Sequence, residues 1–118
     1  MAKHDDRVYL HHILDCINHV HGFTGGILHM FHEVPESWFA TLRVLQTMSE
    51  STTKLSDETK AKMPLIEWAR IKGFRNLLVH DYLGEIDDVI VRKVIEIELP
   101  KLEQEVKRVL HELGVSDV

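Results

Sequence analysis

Apolar residues recur at steps of three and four along most of the chain, the spacing of one helix face. After Asp5 and Asp6, which suit an N-terminal cap, Tyr9, Ile13, Cys16, Ile17 and Val20 form one stripe, predicting a first helix that ends near Gly22. FTGG then reads as a turn and ILHMFHEV as a short, poorly periodic helical piece. Pro35 and Ser37 open a second long helix with Trp38, Leu42, Leu45 and Met48 on its apolar face. A Ser/Thr-rich stretch follows, and SDETKAKMP predicts a short connecting helix stopped before Pro64. From about Ile66 the pattern resumes with Ile71, Phe74, Leu77 and Leu78, where Gly73 admits a close neighbour and Gly84 signals the end. The last element starts near Asp87 and runs through Val89, Ile90, Val94 and Ile97 to Leu99, Leu102, Val106, Val109 and Leu113. Pro100 should kink it, because the ring removes a backbone donor and crowds the previous turn. No segment alternates strictly and none repeats, so the expected fold class is all-α: an antiparallel four-helix up-and-down bundle with additional short helices.

Composition narrows the setting. At 118 residues the chain is expected to form one domain spanning residues 1–118, with a full hydrophobic core. No apolar run approaches the roughly 20 residues of a membrane span, and the chain opens on polar MAKHDD, so a soluble, cytoplasmic protein with no membrane partner is expected. A single cysteine, Cys16, excludes an internal disulfide and a multi-cysteine zinc site. Its place on an apolar stripe reads as a small buried hydrophobe. The net charge of -5 argues against general coating of nucleic acid, where affinity comes from neutralising phosphates. The charge is uneven, however. Lys60, Lys62, Arg70, Lys72 and Arg75 face Glu67 alone between residues 60 and 75, which allows a local basic patch; Lys60 and Lys62 by themselves read equally as a solvated helix surface.

Seven of the nine histidines precede residue 33, which raises a metal site on His4, His11, His12, His19, His21, His29 and His32. Their spacing favours exposed helix histidines, since there is no HExxH and no flanking cysteine set. There is also no Gly-rich phosphate loop, no GxSxG elbow and no Cys/His arrangement for acyl transfer. What remains is FRNLLVHDY, with Arg75, Asn76, His80 and Tyr82. Arginine can hold a phosphate through two parallel hydrogen bonds, histidine can move a proton near neutral pH, and asparagine can orient either. At about 100° per residue Asn76 and His80 lie one turn apart on the same side, whereas Arg75 and His80 point roughly 140° apart. Two copies of the helix around a twofold axis bring the two together in one cleft; a frayed helix end is the competing explanation. A lone histidine and arginine here would read as helix-end and surface groups, and Tyr82 as a half-buried aromatic.

Arg75, four residues, His80, one residue and Tyr82 resemble the R-x4-H-x-Y motif of HEPN domains, specifically HepT-like toxins encoded beside a minimal nucleotidyltransferase antitoxin. The likeness covers nearly the whole chain: RVYLHHILDCI, LRVLQTMSES, IEWARIKGFRNLLVHDYLGEID and IEIELPKLEQEV look like the family's four helices. It implies an all-α homodimer whose protomers share a cleft, and metal-independent RNA cleavage that inhibits the host cell. Neither a cofactor nor DNA is implied. Arg75 and His80 would be catalytic, Asn76 a supporting polar group, and Tyr82 the side chain silenced when the partner nucleotidyltransferase attaches AMP. Glu50 matches a family glutamate without an assigned role. The alternatives are a non-catalytic, nucleotidyltransferase-associated binding or regulatory subunit, and a metal-binding bundle built on the N-terminal histidines.

Overall fold

Local chemistry fixes most helix ends. The structure, a computed structural model, describes residues 5–80 and 86–118. Helix α1 (Asp6–Thr24) starts where the Asp5 carboxylate accepts a hydrogen bond from the Arg7 backbone N–H at 3.0 Å, satisfying one of the first-turn donors. It passes Gly22 and ends two residues later than expected. Buried Thr24 donates its hydroxyl to the Val20 carbonyl at 2.8 Å, which extends the last turn. The poorly periodic piece is a single 3-10 turn, Phe31–Glu33, which seats fully buried Phe31 against Trp38.

Helix α2 (Pro35–Thr53) opens on Pro35, whose missing N–H costs nothing in a first turn. Helix α3 (Asp57–Ala61) is capped by Ser56, which accepts from the Thr59 N–H at 3.2 Å. Helix α4 (Trp68–His80) begins two residues after Ile66, which instead closes a turn on the Met63 carbonyl. Helix α5 (Asp88–Lys93) is capped by Asp87, and a π turn at Val94–Glu98 joins it to α6 (Leu99–Glu112). That π turn locates the irregularity expected at Pro100. The carbonyl four residues before the proline belongs to Glu96, inside the turn, so the wider helix takes up the clash and the missing donor.

Helices α1, α2 and α6 build the core: Leu10, Ile13, Ile17, Leu45, Val106 and Val109 are all fully buried. Each such side chain contributes about 1.5–3 kcal/mol by leaving water. Helices α1 and α2 run antiparallel: His12 of α1 meets Ser51 near the end of α2, and Asp6 at the start of α1 reaches Ser56 just beyond it. Helix α4 packs on α2 but makes only sparse contact with α5 and α6. The molecule is thus an all-α bundle, with no strand among the described residues and one seam left open.

Candidate active site

Ile71, Phe74 and Leu78 turn one face of α4 towards the core, leaving the residues between them to face outward. Arg75 stands at the border and is half-buried. One of its terminal nitrogens, Nη1, donates to Asn76 Oδ1 at 3.3 Å, while its buried Nε–H has no acceptor among the described residues. Most other arginines are committed to carboxylates, although exposed Arg43 is not and the buried Nε–H of Arg92 also lacks an acceptor among the described residues. Arg70 reaches Glu67 at 3.3 Å and Glu98 at 3.7 Å, Arg92 pairs with Asp88 at 2.9 Å, and Arg108 pairs with Glu105 and Glu112. Arg75 has no carboxylate among the described residues. A partly buried guanidinium with unused donors is suited to an anion, because phosphate oxygens would satisfy what the protein leaves open.

His80 is the last residue of α4 and is exposed. The helix runs through it, so the angle of about 140° from Arg75 stands, and His80 shares the side of Asn76 instead. The structure therefore joins Arg75 to Asn76 but does not bring Arg75 to His80 within one helix. Tyr82 and its neighbour Asp81 lie outside the described residues.

The remaining candidates have other surroundings. His12 Nδ1 shares a hydrogen bond with Ser51 Oγ, His19 stacks on Phe23, His21 lies 4.0 Å from Glu103, and His32 lies 3.7 Å from Asp88. Among the described residues no three histidine, cysteine or carboxylate side chains come together as a metal would require. Cys16 is buried, and that burial, helped by the charge of Asp15, pushes its thiol up to about 11. A thiol so placed stays protonated and behaves as a hydrophobe. Glu50 accepts a hydrogen bond from Gln46 Nε2 on its own helix at 3.2 Å.

One feature of the site was not legible as such in the sequence. Between α4 and the α5–α6 arm lies an apolar groove of about 450 Å³, floored by Ile66, Phe74 and Leu99. Leu77, expected on the inward face, is 37% exposed and forms one wall; Ile90 and Ile97 stand exposed opposite. The available signal was that α4 carries Phe74, Leu77 and Leu78 together, more apolar positions than one inward stripe holds.

The sequence pattern of the family described as Ribonuclease HepT-like matches residues 13–109. The chain is 31% identical over 108 residues to the protein of Methanocaldococcus jannaschii named "Putative RNase MJ1380", covering 91% of this chain and 98% of the relative. It is 32% identical over 105 residues to "Putative RNase TTE0752" of Caldanaerobacter subterraneus subsp. tengcongensis, covering 88% and 93%. With the "Probable ribonuclease HepT" of Thermococcus cleftensis it shares 27% over 101 residues, covering 85% and 91%. No solved structure matches the chain.

Proposed function

We propose that this chain, which belongs to the HepT-like ribonuclease family, cleaves RNA without a metal ion in a cleft shared by two protomers, as the toxin of a toxin-antitoxin pair. The observation that carries the reading is Arg75: half-buried, free of carboxylates among the described residues, and holding an unsatisfied Nε–H beside Asn76. In the reaction a base removes the proton of a ribose 2'-hydroxyl, the 2'-oxygen bonds to the adjacent phosphorus, and the bond to the 5'-oxygen breaks. The departing oxygen takes a proton, leaving a cyclic phosphate and a 5'-hydroxyl. Charge that builds on the phosphate oxygens is stabilised by the Arg75 guanidinium. His80 moves the proton, and Asn76 holds Arg75 in position.

The open seam supports the dimer. Exposed Leu77, Ile90 and Ile97 give an apolar centre, and the Arg70–Glu98 pair at its edge offers both charges to a twofold mate. A second protomer supplies the His80 that one helix cannot turn towards its own Arg75. AMP placed on Tyr82 by a nucleotidyltransferase antitoxin adds bulk and a negative phosphate two residues from His80, competing with RNA for Arg75.

The test is RNA cleavage by purified protein in excess chelator. Wild type cleaves, and His80→Ala loses about 10²–10⁴-fold in rate while remaining folded and dimeric. Equal cleavage by the two proteins would assign the activity to a contaminant and leave a non-catalytic binding subunit as the better reading. Intact mass after co-expression with the antitoxin checks the silencing step: AMP is added to wild type and is absent from Tyr82→Phe.

A further inference from the structure

The five cations between residues 60 and 75 are not one patch. Helix α4 divides Arg70, Lys72 and Arg75, while Lys60 and Lys62 lie on and just after α3. Arg70 lies about 140° from Arg75 and is tied to Glu67 and Glu98 on the side of the groove. Lys72 lies about 60° from Arg75 and roughly 4.5 Å from it along the axis, on the other flank. Trp68 stands one turn before Lys72 on that same flank, and the Lys60 ammonium sits over its ring, 5.7 Å from the centroid. Lys60, Lys72 and Arg75 therefore follow one another along about 10 Å of helix. None of the three has an ion-pair partner among the described residues, and no carboxylate occurs on this flank of α4 between Trp68 and His80.

We propose that this flank binds the backbone of single-stranded RNA, with Lys72 and Lys60 holding the phosphates that lead away from the one at Arg75. The inference rests on the ribonuclease reading and names where its substrate lies. Three considerations favour RNA over a compact anion. The cations form a row and not a pocket, their spacing suits successive backbone phosphates, and the row runs without interruption into the arginine assigned to the scissile phosphate. It also fits a chain of net charge -5, because α4 itself carries no acid and Glu98, Asp88 and Glu105 are paired with other arginines.

The experiment measures binding of a short labelled single-stranded RNA to the His80→Ala protein across a range of salt concentrations. Adding Lys72→Gln or Lys60→Gln is expected to weaken binding several-fold and to lower the slope of log K against log salt by about 0.7 each, one phosphate contact apiece. Lys107→Gln, the same charge change on α6, leaves both unchanged. Unaltered affinity and slope in both flank variants would overturn the proposal, as would an equal loss in Lys107→Gln, which would make the effect one of net charge. Displacement of the RNA by poly-glutamate as readily as by unlabelled RNA would assign the flank to an acidic protein and overturn it too. The ribonuclease reading fails separately, if His80→Ala retains cleavage, and the slopes are then read with 2'-O-methyl RNA, which lacks the attacking hydroxyl.

Discussion

The α1–α2 contact and the seam beside α4 treat their polar and apolar groups in opposite ways. Where α1 meets the end of α2 and the cap of α3, Asp6 and His12 have partners, although buried Thr41 of α2 has none among the described residues. The Asp6 carboxylate accepts hydrogen bonds from the Ser56 N–H and hydroxyl and from the Thr59 hydroxyl, and His12 meets Ser51, all beside a closed apolar core. Along α4 an arginine keeps an unused buried donor, Lys72 has no counter-charge among the described residues, and Leu77, Ile90 and Ile97 face outward. Satisfied groups hold a fold together; unsatisfied ones are held ready for something that comes from outside. The first contact should govern stability with little effect on activity, and the second should do the reverse.

The largest effect expected from that contrast falls on Arg75. Arg75→Lys keeps the charge but loses the fork of parallel donors, and should lower RNA cleavage roughly 10²–10³-fold with the melting temperature unchanged. Retention of full activity would mean that charge alone suffices. Next is Ile97→Asp, at a position 55% exposed in the protomer. An unpaired charge buried in the proposed dimer costs about 3–5 kcal/mol, so dissociation measured by sedimentation should rise by roughly a hundredfold or more and cleavage should fall with it. A variant that stays dimeric would place the interface elsewhere.

Smaller effects belong to the α1–α2 side. Asp6→Ala leaves the Ser56 and Thr59 donors without their acceptor and should cost about 2 kcal/mol in denaturant unfolding, while cleavage at a temperature where the protein is folded is retained. Loss of cleavage without loss of stability would break the division between the two contacts. Smallest is the response of Cys16. Its folded-state value of about 11 lies above the ordinary 9.0, so burial favours the protonated thiol. That contribution is complete below about pH 9 and disappears as pH rises through about 11. Alkylation of the native protein should accordingly stay slow at pH 8 and accelerate only towards pH 11; labelling at pH 8 as fast as in the unfolded chain would contradict the burial.

Periodicity and capping made most of this architecture readable from the residues. Asp5, Pro35, Ser56 and Asp87 each open a helix through chemistry that acts over three or four positions, so their effect is visible locally. The misplaced boundaries depended on distant burial. Thr24 carries α1 beyond Gly22 because the core covers it, and the π turn before Pro100 answers crowding that a sequence pattern registers only as a proline. At the site, the angle between Arg75 and His80 followed from residue number alone. Which cations were already paired did not, because Glu98 lies 28 positions from Arg70 in the chain and meets it only across the fold. The groove was hidden for the same reason, since Leu77 reads as core until the neighbouring helix is seen to stand away from it.

The central claim is that Arg75 and His80 act together only across two protomers, and subunit mixing tests it most directly. Arg75→Ala and His80→Ala proteins are each inactive by this account, but a mixed dimer regains one intact site, with Arg75 from one protomer and His80 from its partner. Co-expression in equal amounts makes about half of the dimers mixed, each with one of two sites working, so about a quarter of wild-type cleavage should return. Activity no higher than that of either parent, in a preparation shown by mass to contain mixed dimers, would contradict the shared cleft.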